Sequence, residues 1–304
     1  MEIQTFDQLI ARVKDSRRQF RVAVANAGDV HTLEAVLLAC REGIVSPILV
    51  GDKAAILRIC KELNADFPTE DIVDAAGVPE AAAKAVELVR EGKADFLMKG
   101  KMDTGVLLKA VVNKETGLGT GNLMSIFLLA QLPNYHKLVA VVDGGMVPYP
   151  TLEQKKGIIE NTVGALRDLG YECPKVGVLA CIEKVNPKMP ETVEADALKQ
   201  MNRAGEIPNC IVEGPVSYDC AMSREIAGLK GFDSPCAGDC DALIAPDIHA
   251  GNILTKALHV TGGAATAGFI VGAKCPIVMS SRGSEPEEKF MSIILAAAVV
   301  LGRG

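Results

Sequence analysis

Hydrophobic residues are distributed along this chain in two alternating patterns. Short, almost uninterrupted apolar runs (FRVAVAN, SPILVGD, ADFLMKG, KLVAVVDG, KVGVLACIE, NCIVEGP, DALIAPD and CPIVMSS) are separated by longer segments with apolar residues at helical spacing. A strand with one wet face alternates apolar and polar residues. Continuous apolar runs belong to strands covered on both faces, and so to a mainly parallel sheet. The helical spacing predicts helices over 29–42, 53–64, 79–91, 103–112, 151–168 and 286–301. This βαβα order predicts an α/β fold of mainly parallel, doubly wound sheets. Local start signals agree: Thr151–Gln154 after Pro150 and Ser284–Glu287 both fit capping boxes, and Asp103 is a candidate N-cap. The loop DGGMVPYP at 143–150 is a candidate crossing between lobes.

In open α/β sheets ligands collect at the carboxyl ends of the strands. Those ends carry Asn26, Gly51-Asp52, Lys99-Gly100-Lys101, Asp143-Gly144-Gly145, Glu183-Lys184, Glu213-Gly214-Pro215, Pro246-Asp247 and Ser280-Ser281-Arg282. Any one of them reads equally as ordinary turn chemistry; the whole set favours a shared cleft. In MKGKMDTG a strand gives way to a basic turn and a helix start. Lys99, Gly100 and Lys101 there could attract an anion, or form a solvated turn. In PDIHAGNILTKAL, Asp247, Gly251 and Asn252 open a helix, and an ordinary capped helix would look the same; His249 reads as a surface residue. In SSRGSEPEEKF, Ser281 and Arg282 leave a buried strand just before a helix. The capping box accounts for Glu287 but not for Glu288, although acids are generally favoured in a first helical turn.

Composition narrows the function. The 304 residues suit one large α/β domain or two lobes. With no Trp and 4% aromatics, the core is built from Ala, Val, Ile, Leu and Met. The net charge of −6 argues against a general nucleic-acid or anionic-membrane binder, so an anionic ligand needs locally concentrated positive charge. Nine scattered Cys read as reduced cytoplasmic thiols. The N-terminus lacks the apolar core of a signal peptide, and IILAAAVVL is too short to cross a bilayer. No P-loop, G-x-G-x-x-G, G-x-S-x-G or H-E-x-x-H occurs. Cys236 and Cys240 lack the second tight pair of a usual zinc site, so no metal is expected.

Five ordered blocks, MKGKMDTGVLLKAVVNKETGLGTG, VVDGGMVPYPTLEQKKGIIENTV, EGPVSYDCAMS, PDIHAGNILTKAL and MSSRGSEPEEK, span nearly the whole chain. In these the sequence resembles the phosphate acetyl/butyryltransferase family. The MKG turn and the Thr-Leu-Glu-Gln-Lys helix start tilt the likeness to the butyryl branch. The resemblance implies a two-lobed fold like isocitrate and isopropylmalate dehydrogenases, with residues 1–135 plus 269–304 in the first lobe, 136–268 in the second, and the active-site cleft between them. It implies the reaction acyl-CoA + phosphate ⇌ acyl phosphate + CoA, with coenzyme A and phosphate as substrates, no cofactor or metal, and a homodimer or larger homo-oligomer.

By the same resemblance Ser281 bonds the CoA sulfur, Arg282 contacts the acyl carbonyl or phosphate, and Glu288 stands where the acetyl branch has an aspartate base. Lys99, Gly100, Lys101, Asp247, Gly251 and Asn252 line the substrate site, facing the exit of the strand ending MSSR. The acetyl branch also places arginines near the phosphate in the region matching 99–125, where this chain has none; Lys99, Lys101 or Lys109 would substitute without a bidentate fork. No Cys lies in an activated motif, which favours direct transfer in a ternary complex. An ordinary thiol and an ordinary Glu differ by ~4 pKa units, or ~6 kcal/mol, so the thiolate needs help from its surroundings. The alternatives are an acetyl-specific phosphotransacetylase, a non-catalytic acyl-CoA-sensing domain, and a metal- and NAD-dependent decarboxylating dehydrogenase of the same architecture.

Overall fold

The computed structural model describes residues 2–65, 67–279 and 285–304. The chain forms α1 (Phe6–Asp15), β1 (Phe20–Ala25), α2 (Val30–Arg41), β2 (Val45–Gly51), α3 (Lys53–Glu62), β3 (Ile72–Asp74), α4 (Val78–Arg90), β4 (Phe96–Lys99) and α5 (Thr104–Val111). It continues with β5 (Ser125–Gln131), β6 (Leu138–Val142), α6 (Leu152–Asp168), β7 (Lys175–Leu179), α7 (Pro190–Arg203) and β8 (Ile211–Val216). Then come α8 (Tyr218–Met222), α9 (Arg224–Leu229), β9 (Ala242–Ile244), α10 (Ile248–Val260), β10 (Ala265–Val271), β11 (Ile277–Val278) and α11 (Pro286–Gly302). The fold is α/β and mainly parallel. All eight apolar runs form strands; β3, β5 and β10 lie outside them.

Two compact units divide the chain. A terminal unit holds Asp7–Asn122 with Ala267–Gly304, and a central unit holds Met1–Phe6 with Leu123–Thr266. In the terminal unit the strand order is β3-β2-β1-β4-β11-β10. β1 pairs in parallel with β2 and β4, β4 with β11, and β2 with β3; only β10 and β11 run antiparallel. β4 is buried along its whole length, as its uninterrupted apolar run requires. Ala81, Ala82 and Ala85, all at 0% exposure, let α4 lie close on β1 and β2. The last helix, α11, packs on α2, β4 and β11, through a face that is buried from Lys289 to Val299 with few breaks.

In the central unit the order is β5-β6-β9-β7-β8, antiparallel at β5–β6 and parallel elsewhere. Thr151 and Gln154 form the expected capping box of α6: Thr151 Oγ1 accepts from the Gln154 N–H at 3.3 Å, and Gln154 Oε1 accepts from the Thr151 N–H at 2.9 Å. At the amino ends of the central strands, Lys137 donates to Asp241 at 2.6 Å and pairs with Asp239 at 2.8 Å. Lys175 also pairs with Asp239, and its backbone N–H donates to Asp241 at 2.7 Å. This network ties the starts of β6, β7 and β9 together.

At α11 the expectation needs one correction. The N-cap is Glu285, not Ser284, and it makes no side-chain capping bond. Pro286 takes the first helical position, where its fixed φ and missing N–H cost nothing, and this sets the helix start one residue later than a Ser284 box needs. Ser284 itself lies outside the described residues, and Glu288 becomes the third helical residue. No helix among the described residues is long and apolar enough to cross a membrane.

Candidate functional site

In the terminal unit, β4 ends on Lys99 and the chain turns through Gly100, Lys101, Met102 and Asp103 into α5. The turn is bound to the end of β1. Gly100 N–H donates to Ala25 O at 2.8 Å, Lys101 N–H donates to Asn26 O at 3.1 Å, and the Asn26 side chain returns a bond to Lys101 O. Asn26 reaches this position with φ +57°, a left-handed conformation that Asn tolerates. Gly100 is required by contact: a Cβ there would stand 2.8 Å from Ala25 O and nearer still to Asn26 O. Asp103 occupies the N-cap of α5, as the sequence predicts, without a side-chain capping bond.

The Lys99 side chain is 6% exposed, and its ammonium donates to the carbonyls of Gly100 (3.3 Å) and Met102 (3.2 Å). It lines a cavity of about 1020 Å³. The same cavity is walled by Lys101 and Asp103 from the turn, by the residues opening α2 from Gly28 to Thr32, by Arg58 and Glu62 of α3, and by Lys289 of α11. Asp29 caps α2, accepting from the Thr32 N–H at 3.2 Å. Four basic side chains from three parts of the unit therefore meet one cavity. Sequence reading named Lys99 and Lys101 as candidates and did not name Arg58 or Lys289, which line the same cavity. A signal for Lys289 exists: it shares a helical face with Ile293 and Ala297, both at 0% exposure.

In the central unit a second group assembles at the end of β6. The Asp143 carboxylate, 3% exposed, accepts from the backbone N–H groups of Gly145 (2.9 Å), Met146 (3.1 Å) and Val147 (3.0 Å). Burial pushes this carboxyl up from its ordinary range, against the pull of those N–H groups. Asp247 caps α10, accepting from Ala250 N–H at 2.9 Å. Asn252 Nδ2 donates to Gly144 O at 2.9 Å, which ties the helix to the Asp143 turn. Gly251 lets the two meet, since a Cβ there would stand 2.7 Å from Asp143 O. His249 Nε2 lies 3.0 Å from the Tyr149 hydroxyl, at the surface.

The third group follows β8. Ser217 Oγ donates to Glu183 and to Asp219, and the Lys230 ammonium bonds Glu183 (3.0 Å), Asp219 (2.9 Å) and Ser217 Oγ (3.3 Å). Glu183, Asp219 and Cys220 place potential metal-ligand atoms within 4.8 Å of one another, and Lys230 already supplies a cation there. Hydrogen bonds from Ser217 and Lys230 hold the Asp219 carboxyl down at about 2. Cys236 and Cys240, both at 0% exposure, lie in the loop between α9 and β9, with the Cys240 thiol 3.3 Å from Cys236 O.

The predicted site residues thus fall into groups. Lys99, Gly100 and Lys101 join Lys289 around the terminal-unit cavity; Asp247, Gly251 and Asn252 gather on the Asp143 turn of the central unit. Glu288 stands in the first turn of α11, half-buried, with Glu287 exposed beside it. Ser281 and Arg282 lie outside the described residues.

Residues 77–297 match the family described as phosphate acetyl/butaryl transferase. The phosphate acetyltransferase of Thermotoga maritima is 45% identical over 91% of this chain and 94% of its own length. The phosphate butyryltransferase of Clostridium acetobutylicum is 40% identical over 98% of each. Among solved structures, a branched-chain phosphotransacylase from Enterococcus faecalis V583 superposes with a TM-score of 0.81 at 31% identity, covering 92% of this chain and 99% of its own. A putative 4-hydroxythreonine-4-phosphate dehydrogenase from Salmonella typhimurium, at 12% identity and TM-score 0.57 over 93% of this chain and all of its own, shares the fold alone and carries the dehydrogenase-like architecture. With more than two thirds of its length matched, and two relatives of that identity along nearly all of it, the chain belongs to the phosphate acetyl/butyryl transferase family.

Proposed function

We infer that this protein is a phosphate acyltransferase interconverting acyl-CoA and phosphate with acyl phosphate and CoA. The observation that carries this reading is the nearly end-to-end likeness to relatives named for both acetyl and butyryl transfer. The cavity at the end of β4 supports it, because it brings Lys99, Lys101, Arg58 and Lys289 together, with Asp29, Glu62 and Asp103 in the same lining, where polar groups can meet a charged substrate.

Transfer is direct, in a ternary complex. Arg282 stabilises the oxyanion that develops on the acyl carbonyl, Ser281 bonds the CoA sulfur, and Glu288 takes the thiol proton. In the terminal unit Lys99, Gly100 and Lys101 are the proposed substrate-binding residues, and in the central unit Asp247, Gly251 and Asn252 are. The acyl group is short, butyryl or similar, and no metal or redox cofactor takes part.

The test is phosphate-dependent CoA release across an acyl-CoA chain-length series. Activity should peak between acetyl and butyryl or branched C4–C5 groups; no phosphate-dependent release with any of them would sink the reading. In the same assay Glu288→Gln should lose activity across the pH range while Glu287→Gln keeps it, and the reverse result would move the base to Glu287.

The family resemblance extends to assembly and location. On α10, Ile253 (68% exposed) and Val260 (76% exposed) lie with Ala257 along one helical face, an apolar stripe that a second copy of the chain would cover. A dimer or larger should therefore appear in sedimentation at micromolar concentration, and a monomer there would overturn it. Nine thiols with no disulfide among the described residues fit the reducing cytoplasm.

A further inference from the structure

Three helix starts in the terminal unit carry valine. Val30 is the first residue of α2, Val78 the first of α4, and Val106 the third of α5. First turns usually favour acids and capping residues, and neither α2 nor α5 has an acid there. Core packing does not account for these side chains either. Leu33 and Val36 of α2 are at 0% exposure, whereas Val30 is 38% exposed and Val78 and Val106 are half-buried. The three helices follow β1, β3 and β4, so their starts gather at the carboxyl ends of parallel strands. All three valines line the cavity at the end of β4, and Met102 and Ile59, 6% and 7% exposed, add to its apolar wall. Met102 is fixed in place: its N–H donates to Gly100 O at 2.9 Å, and its carbonyl accepts from the Lys99 ammonium at 3.2 Å. A single exposed valine is ordinary. Five apolar side chains around one cavity leave an uncovered apolar surface beside charged groups of both signs. That combination suits a ligand with a short apolar tail and a polar end.

We propose that this wall holds the acyl chain, and that Val30, Val78, Met102 and Val106 set a preference for butyryl and branched four- or five-carbon groups over acetyl. The proposal rests on the phosphate acyltransferase reading. An acetyl group ends at its methyl and leaves most of the wall in water. Each further methylene laid on it is worth about fourfold in kcat/KM, from ~0.8 kcal/mol per buried methylene at ~1.4 kcal/mol per factor of ten. The two extra methylenes of butyryl therefore give about 15-fold. The unbranched, polarizable side chain of Met102 adapts to straight and branched chains alike, while the β-branched valines around it give the wall a fixed shape.

The ratio of kcat/KM for butyryl-CoA to that for acetyl-CoA tests this. It should be about 15 in wild type, and Val106→Phe, which fills the wall, should lower it on the order of tenfold. A wild type that prefers acetyl-CoA overturns the proposal. So does an unaltered ratio in Val106→Phe, including one in which both substrates lose equally, which would assign Val106 to a part of the substrate that the two share. Should the phenylalanine variant fail to fold, the isosteric pair Val30→Thr with Val78→Thr carries the test, with an expected fall of about fourfold; an unaltered ratio there overturns it as well. A second measurement needs no turnover. In calorimetry without phosphate, wild type should bind butyryl-CoA more tightly than acetyl-CoA, and Val106→Phe should remove most of the difference; equal affinities in wild type overturn the proposal. If wild type shows this preference in binding but releases no CoA when phosphate is added, the acyl wall stands and the acyltransferase reading falls.

Discussion

Replacing Arg282 with alanine should lower kcat/KM several hundredfold while leaving the far-ultraviolet circular dichroism spectrum unchanged. Attack on an acyl carbonyl moves negative charge onto its oxygen, and a guanidinium set against that oxygen stabilises the transition state more than the ground state. Removing one such donor typically costs ~3–4 kcal/mol. In the role proposed for Arg282 the loss should fall mainly on kcat, because the charge it would answer is small in the bound substrate. Arg282→Lys should recover only part of the rate, since the ammonium restores the charge without the planar fork. Near-normal turnover of Arg282→Ala would remove this residue from the mechanism. Arg282 is placed in this role by its position in SSRGSEPEEK, next to Ser281 and six residues ahead of Glu288.

The parallel framework was legible because its signal is local and strong. FRVAVA and FLMK are continuous apolar runs, and each becomes a strand with neighbours on both sides. The strands that escaped notice are of another kind. β5 alternates buried and half-buried positions over most of its length, β10 opens on Ala, Thr and Gly, and β3 has only three residues. The first two sit in the antiparallel pairs, where one residue pattern does not announce the partner. The resemblance places the lobe change at 135/136, and SIFLLAQ was not read as a strand. The chain joins the central unit at Leu123, and β5 pairs there with β6.

The site divides in the same way. Lys99, Gly100 and Lys101 were visible because strand, basic turn and helix start are adjacent in sequence. Arg58 and Lys289 reach that cavity only through the packing of α3 and α11, and no short motif records it. Asp143 shows the converse. Its DGG turn drew attention as a strand exit, yet three backbone N–H groups account for its carboxylate, and Asn252 and Gly251 serve to seat α10 on that turn. Local sequence shows which polar groups exist, and tertiary packing decides which of them face a ligand.

The largest expected effect on stability lies away from the cavity. Lys137→Met should destabilise the protein by about 3–5 kcal/mol, the usual cost of removing one partner from a buried ion pair. Lys137 is 8% exposed and Asp241 5%, so methionine would replace the stem but leave Asp241 with no ammonium beside it. Asp241 would keep the Lys175 N–H, and Asp239 would keep Lys175 and His136. These partners hold β7 and the Asp239 loop but not β6, so the start of β6 should loosen first in hydrogen exchange.

The pH dependence separates this account from simple loss of packing. Burial raises the Asp239 carboxyl, but hydrogen bonds from Lys137, Lys175 and His136 outweigh it and hold the group below its ordinary range. A carboxyl depressed on folding adds stability that is complete above its unfolded pKa of about 3.9 and drains away as pH falls towards the folded value. The gap between wild type and Lys137→Met in urea midpoint should therefore be widest near neutrality and narrow only well below about pH 4, as the folded Asp239 carboxylate takes up its proton. A gap that stays the same even where the folded Asp239 carboxylate has been protonated would assign the loss to packing of the lysine stem, and a gap below about 1 kcal/mol at pH 7 would show that Asp241 is satisfied without Lys137.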